Sequence, residues 1–245
     1  TFHNRIKEHI IEYYMKQKKV LDLGSGAGGD IGKYKRHSAT WVTGVDIVSV
    51  EYPYPENLMK FHKVSEGYTL KDIIKNDSVT KFDVVNCQFA IHYFFKSEET
   101  FSKLIQNLKD VLKPDGLFVC TFLDGLKING LLQYFEVPSQ STLIMKEKQE
   151  PVFSVQAQND SFESTIGNPV KIKVFGTKYF NEKPSEEFLI NPDLFVERMK
   201  DSGFSLQHTK QFGQYCSQFQ DACFMMNGTE RLYSFMNMVM VFKLD

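Results

Sequence analysis

The sequence contains no apolar run approaching the roughly 18 residues that a membrane-spanning helix requires. It also lacks an excess of charge of one sign, with 29 Lys and Arg against 30 Asp and Glu and a net charge of -1. That balance excludes a strongly basic protein held on nucleic acid by bulk charge, while a local basic patch stays open. Only four cysteines occur, Cys87, Cys120, Cys216 and Cys223, and no CxxC pair is formed. No His or Cys pair has zinc-ligand spacing, so no metal is expected. Cys87 and Cys120 lie inside apolar runs, where a thiol behaves as a small core hydrophobe. Structural disulfides are not expected, and the cysteine usage fits an intracellular location. The first residues, Thr1 to Arg5, lack the charged-then-apolar pattern of a secretory signal. A chain that opens on Thr1 and not on Met is expected to be cut from something longer.

What is present is enough to bury a substantial core: 245 residues, 42% hydrophobic, with 22 Phe. Apolar strand-like runs alternate with helical patterns in the first half, which predicts an α/β fold around a mostly parallel sheet. The runs are Val20–Leu23, Trp41–Ile47, Phe82–Cys87 and Leu117–Phe122. Phe101, Leu104, Ile105, Leu108, Val111 and Leu112 recur at helical spacing, and Lys113-Pro114-Asp115-Gly116 stops that helix and turns the chain. From about 125 to 190 the pattern changes to short strands and loops, with Val170, Ile172 and Val174 alternating with Lys171 and Lys173. This stretch reads as a substrate-binding insertion within a single domain over 1–245. Asn191 is a plausible N-cap before Pro192, Gly203 ends the helix that follows, and Met238–Phe242 reads as a final strand.

The strongest local signal is Asp22-Leu23-Gly24-Ser25-Gly26-Ala27-Gly28-Gly29-Asp30, directly after a strand. Gly24, Gly26 and Gly29 satisfy G-x-G-x-x-G, and Asp46 ends the next strand, where a carboxylate can accept both hydroxyls of a ribose. A nicotinamide dinucleotide and S-adenosylmethionine compete for this geometry. Asp22, two residues before Gly24, favours the second. Gln88, His92 and Tyr93 then interrupt an apolar stretch at the carboxyl end of the Phe82–Cys87 strand, where open α/β sheets bind ligands.

D-x-G-x-G followed by an acidic strand end resembles the class I methyltransferases, with their Rossmann-like fold and an antiparallel C-terminal strand. Beyond that, four elements in order resemble the mRNA cap guanine-N7 methyltransferases. Cys87-Gln88-Phe89-Ala90-Ile91-His92-Tyr93 is similar to their C-Q-F-x-x-H-Y, and Gly28-Gly29-Asp30-Ile31-Gly32-Lys33-Tyr34 to their G-G-D-L-x-K-Y. Phe2-His3-Asn4-Arg5-Ile6-Lys7 is similar to F-N-N-x-I-K, and Glu187-Phe188-Leu189 to E-F-L. Thr121–Gly125 resembles a turn in capping enzymes of large DNA viruses. The resemblance implies that Lys7 holds the donor carboxylate, that Gly24, Ser25, Gly26, Gln88 and Phe89 line the methionine end, that Asp46 takes the ribose, and that Ser65 lies by the adenine. It implies further that Tyr93 sits between donor and cap, that His92 contacts the guanine and Glu187 its N1 edge, and that Asn4 and Lys33 face the cap ribose and phosphates. From the residues alone Glu186-Glu187 is a solvated pair, and Lys33, Lys35 and Arg36 are equally a solvated helix face.

Several positions depart from the family pattern. Ala27 replaces a frequent Lys, and Ser65-Glu66 stands where an adenine-binding D-S pair is usual. Asn237 falls where a cap-stacking Tyr is expected, so the stacking role passes to Tyr233 or to a Phe. The implied reaction is methyl transfer from S-adenosylmethionine to guanine N7 of GpppRNA, leaving S-adenosylhomocysteine. The alternatives are a small-molecule or protein methyltransferase, a catalytically inactive subunit, and a nicotinamide dehydrogenase. The expected partners are 5′-capped RNA, upstream triphosphatase and guanylyltransferase domains and an unidentified stimulatory subunit, with no membrane. The protein is expected to be a monomer, in the cytoplasm of an infected cell or the virion if viral and in the nucleus if cellular.

Overall fold

The computed structural model describes residues 1–245 except 51, 160, 161, 163, 164 and 177–182. α1 (Phe2–Met15) begins at Thr1, whose hydroxyl accepts from the Asn4 amide, and buries Phe2, Ile6, Ile10, Ile11 and Met15 along one stripe. The chain then alternates through β1 (Lys19–Leu23), α2 (Ile31–Arg36), β2 (Trp41–Asp46), β3 (Met59–Lys63) and α3 (Leu70–Ile74). β4 (Phe82–Gln88) leads through a 3-10 turn at 91–95 into α4 (Glu98–Val111) and β5 (Leu112–Leu123). α5 (Gly125–Tyr134) opens the insertion, which continues as β6 (Thr142–Glu147), β7 (Glu150–Ala157), β8 (Pro169–Val174) and β9 (Ser185–Phe188). α6 (Pro192–Asp201), β10 (Phe204–Gln211), α7 (Gln220–Phe224), α8 (Gly228–Phe235) and β11 (Asn237–Leu244) follow.

Seven strands form one sheet in the order β10-β11-β5-β4-β1-β2-β3. The pairs β1–β2, β1–β4, β2–β3 and β4–β5 are parallel, while β11 runs antiparallel to both β5 and β10. This is the mostly parallel sheet that the alternating runs predict, with the antiparallel C-terminal strand that the resemblance implies. The chain turns away on either side of β1, to β2 and to β4, and so leaves a crevice at the carboxyl ends of these strands. The α4 stripe buries Phe101, Leu104, Ile105, Leu108 and Val111, and its N-terminus is closed by a Ser97–Thr100 capping box. Asn191 caps α6 through the amides of Asp193 and Leu194.

Two details differ from the sequence reading. Lys113–Gly116 does not separate helix from strand, because β5 pairs with β4 from Leu112 onward and absorbs these residues as an irregularity in register. Cys216 and Cys223 are joined as a disulfide, with their Cα atoms 5.3 Å apart. No CxxC spacing announces that pair. Backbone bonds from Phe219 N–H to Tyr215 O and from Cys223 N–H to Phe219 O coil the chain back on itself and bring the sulfurs together.

The insertion contains a helix as well as strands, and its four strands form a separate antiparallel sheet, β6-β7-β8-β9. Phe153, Val155, Val170 and Ile172 build its core against Ile128 and Leu132 of α5. The insertion leaves and returns at one point: Asp124 bridges Ile190, and the Gly125 amide donates to Ile190 O at 2.8 Å. A Cβ on Gly125 would lie 2.6 Å from that same carbonyl, so only glycine permits this approach.

Candidate active site

The glycine loop leaves β1 at the crevice. Gly24 has φ +79°, and a Cβ there would stand 2.4 Å from that of Ala90, in the turn after β4. Gly26 (+55°) and Gly28 (+90°) are also left-handed. Gly29, the third glycine of the fingerprint by spacing, is absent from the left-handed residues, and Gly28 fills that role. The loop closes on Asp46, whose Oδ2 accepts from the Gly26 amide at 2.7 Å and whose Oδ1 accepts from Val48 at 2.9 Å. Each carboxylate oxygen keeps a second lone pair for an incoming hydroxyl. Ser25 lies at the loop crest, partly buried, and Ser65 is exposed just beyond β3, next to Val64, whose amide donates to Asp46 O.

Beneath the loop, Asp22 is buried. Its carboxylate accepts from Asn86 Nδ2 at 3.0 Å, and the same amide reaches the Tyr34 hydroxyl at 2.7 Å. Burial, reinforced by the nearby Asp30 charge, pushes Asp22 up to about 7. Lys7 and Lys33, assigned by resemblance to different ligands, converge on one carboxylate, each at 2.5 Å from Asp30. Burial alone would raise Asp30, but the two ammonium groups outweigh it and hold it below the usual range. A carboxylate so placed at the start of α2 also stands where a dinucleotide would bring its pyrophosphate. Asn4 is exposed one turn before Lys7, while Arg36 turns to Glu8 at 2.7 Å and not toward the loop.

Gln88 ends β4 with both amide atoms buried and unpartnered among the described residues. An orphaned amide at a crevice marks a place where a ligand completes the hydrogen bonding. Phe89 follows in the left-handed region (φ +59°), its amide fixed to Thr121 O at 3.0 Å, which aims its ring across the crevice toward α1. His92 and Tyr93 lie in the 3-10 turn, their rings 4.1 Å apart; His92 is buried and Tyr93 is 52% exposed.

Glu187 is not a solvated surface group. The alternation of β9 turns Glu186 outward and Glu187 inward, where its Oε2 lies 3.7 Å from His92 Nδ1. Burial pushes Glu187 up to about 7 and His92 down to about 3. Among the described residues no hydrogen bond reaches the Glu187 carboxylate, and His92 Nε2 is also unpartnered. Tyr233 on α8 packs on Phe153 at 5.1 Å, and burial, with the Glu187 charge adding to it, raises its hydroxyl above the usual range. Asn237 is buried and donates to the carbonyls of Tyr233 and Ser234, which makes it a helix-end cap and leaves Tyr233 as the aromatic beside Glu187. Among the described residues no cluster of three or more His, Cys, Asp or Glu could hold a metal. The residues missed from sequence are Asp30, Tyr34, Asn86 and His3; Asp30 and Tyr34 lay inside the G-G-D-L-x-K-Y element and His3 inside the F-N-N-x-I-K element, while Asn86 lay in neither.

The strand order, the glycine loop at the β1–β4 crevice and the acidic end of β2 define a class I methyltransferase. A solved S-adenosylmethionine-dependent methyltransferase from Mesorhizobium loti superposes with TM-score 0.59 and 13% identity, covering 97% of this chain and 96% of that one. The profile of the mRNA (guanine-N(7))-methyltransferase domain matches residues 1–236, and the chain belongs to that family. An mRNA cap guanine-N(7) methyltransferase of Caenorhabditis elegans is 29% identical over 51% of this chain and 36% of that protein. A probable mRNA-capping enzyme of Acanthamoeba polyphaga mimivirus is 24% identical over 82% of this chain and 20% of its own length. The chain thus spans only a minor part of these curated relatives.

Proposed function

We propose that this chain transfers a methyl group from S-adenosylmethionine to N7 of the guanine cap of GpppRNA. The observation that carries the reading is the meeting, at one sheet end, of the Gly24–Gly26–Asp46–Gln88 cradle with the buried His92–Glu187 pair. The donor supplies an electrophilic methyl on a sulfonium. Asp46 takes its ribose hydroxyls, Gln88 and the Gly24, Ser25 and Gly26 backbone its methionine end, Lys7 its carboxylate, and Ser65 its adenine edge. Phe89 walls the donor side.

Guanine N7 carries a lone pair and no proton, so no residue of the chain acts as a general base. The chain's work is positioning, which contributes up to roughly 7–11 kcal/mol when the reacting atoms are held in line. Glu187 accepts from N1–H and the exocyclic amine, donors that adenine does not offer in that arrangement, and His92 contacts the base. Tyr93 and Tyr233 flank the guanine, with stacking worth about 1–3 kcal/mol per base. Asn4 and Lys33 face the cap ribose and phosphates.

The family membership supports this reading over a small-molecule or protein substrate. Residues 1–245 act as one methyltransferase domain, with 125–190 as its substrate-binding insertion, working as a monomer within a larger capping protein. The small share of the mimivirus relative that is matched supports upstream triphosphatase and guanylyltransferase domains, and that relative also supports a viral origin. The setting is intracellular: the cytoplasm of an infected cell or the virion if viral, the nucleus if cellular.

The test is incubation with labelled donor and GpppG-RNA, followed by identification of the methylated atom. Label at guanine N7 is expected. His92→Ala and Glu187→Ala each lower cap methylation by about tenfold or more with donor affinity unchanged. Label on a ribose 2′-oxygen or on protein, or full activity in both variants, overturns the reading.

A further inference from the structure

His3 occupies the position of the first Asn in the F-N-N-x-I-K element, and its surroundings explain why an aromatic ring stands there. The ring lies parallel to that of Phe89, with centroids 5.4 Å apart and 5° between planes. It is nearly parallel to Tyr233 at 6.4 Å and 21°, and it meets the edge of Phe212 at 5.1 Å. Its Nε2 lies 2.8 Å from the hydroxyl of buried Ser234, the neighbour of Tyr233 on α8. One turn further along α1, the Lys7 ammonium lies 5.9 Å from the Phe89 ring centre. Phe89 therefore faces two side chains of the same helix, and one of these also fixes α8.

We infer that His3 is a positioning residue that ties the donor-side wall, Phe89, to the cap-side wall, Tyr233, and so sets the width of the slot into which the guanine enters. Asparagine does this less well, since its planar amide is smaller than an imidazole and covers less of a neighbouring ring. The ring must also be neutral to serve, because a second cation beside Lys7 would be repelled. Burial, with Lys7 adding to it, holds its protonation down to about pH 4. The contact with Ser234 gives the ring one orientation, and through it α8 presents Tyr233 at a fixed distance from Glu187. This role rests on the cap-methyltransferase reading above.

The test is a double-mutant cycle with GpppRNA as substrate, read as KM and kcat together with donor affinity by calorimetry. His3→Ala and Ser234→Ala are each expected to raise KM for capped RNA about fivefold, the equivalent of one neutral hydrogen bond, with donor affinity held within about twofold. In a Tyr233→Ala background the His3→Ala change adds nothing further, since the residue acts through that ring. His3→Phe, which keeps the stack and loses the hydroxyl contact, falls between wild type and His3→Ala. If His3→Ala does not fold, Ser234→Ala, a deletion of one oxygen, is read by the same criteria. Additive effects of His3→Ala and Tyr233→Ala, an unchanged KM, or an equal loss of donor affinity overturns the role of His3 while wild type still methylates the cap. A wild-type protein that leaves the cap unmethylated overturns the underlying reading, and the role of His3 falls with it.

Discussion

His92 Nδ1 lies 3.7 Å from Glu187 Oε2, and the two nearly enclosed side chains do not make an ion pair. Burial holds the imidazole unprotonated down to about pH 3, so at neutral pH it offers no charge to the carboxylate. Glu187 is left to ionise alone, which is why burial pushes it up to about 7. An ionised Glu187 thus places on its pocket a demand for hydrogen-bond donors that the neutral acid does not.

That demand weakens the fold. A carboxyl group raised from 4.5 to about 7 contributes stability that is fully present below pH 4.5 and is lost as pH rises through 7. Glu187→Gln removes the ionisation, and at pH 8 it should stabilise the protein by about 1–3 kcal/mol. Below pH 4.5 the difference should vanish. Asp22, raised to about 7 by the same cause, leaves a parallel slope in both proteins. Urea titrations at the two pH values decide the matter, and equal stability at pH 8 removes the argument.

Cap binding should show the opposite slope. Guanine donors favour the ionised carboxylate, so binding below pH 7 must first expel a proton from Glu187. Affinity for GpppG is expected to rise about tenfold from pH 6 to pH 8 and then level off. His92 and Tyr233 stay neutral across this window, the first lowered and the second raised by burial. Glu187→Gln should abolish the slope, as fluorescence titration of the cap dinucleotide would reveal.

On the donor side, Asp46→Ala removes the ribose acceptor and also releases the Gly26 and Val48 amides from their shared carboxylate. Calorimetry should record a loss of S-adenosylmethionine affinity of about 10–100-fold, the range for charge-assisted hydrogen bonds. GpppG affinity should hold, and a parallel loss of both would place Asp46 elsewhere in the site.

Gly125→Ala tests the point where the insertion meets the sheet. The new methyl group would stand 2.6 Å from Ile190 O and force that segment aside, costing about 1–3 kcal/mol of stability. Ile190 lies just beyond β9, so the displacement should also reach Glu187 and raise KM for capped RNA more than that for the donor. A melting temperature equal to that of wild type would show that the ends are not held together.

Local chemistry wrote much of this protein legibly. Buried parallel strands read as short apolar runs, Asn191-Pro192 announces a helix start, and the glycine loop with Asp46 narrows the ligand to two cofactors, between which Asp22 leans. Glu187 shows where that legibility stops. In Glu186-Glu187 nothing local says which carboxylate faces inward, and only the pairing of Val170 with Glu187 settles it. The Asp30 bridge, the His3–Ser234 contact and the Cys216–Cys223 link depend on segments brought together by the whole fold, and no periodicity encodes such meetings. Tyr233 was reachable only as one of two options, because its position depends on Asn237 closing α8.

β11 lies between β5 and β10, so β10 has no sheet to join until β11 has been synthesised and slotted in. Phe212, the ring that supports His3 edge-on, follows directly from β10, and Val239 and Val241 share a buried cluster with Phe2 and Ile6 of α1. α1 therefore completes its packing only after a strand translated long after it, a non-local order of assembly. A premature stop that removes β11 would take away both the strand that β10 joins and part of the apolar bed under the helix that carries Lys7.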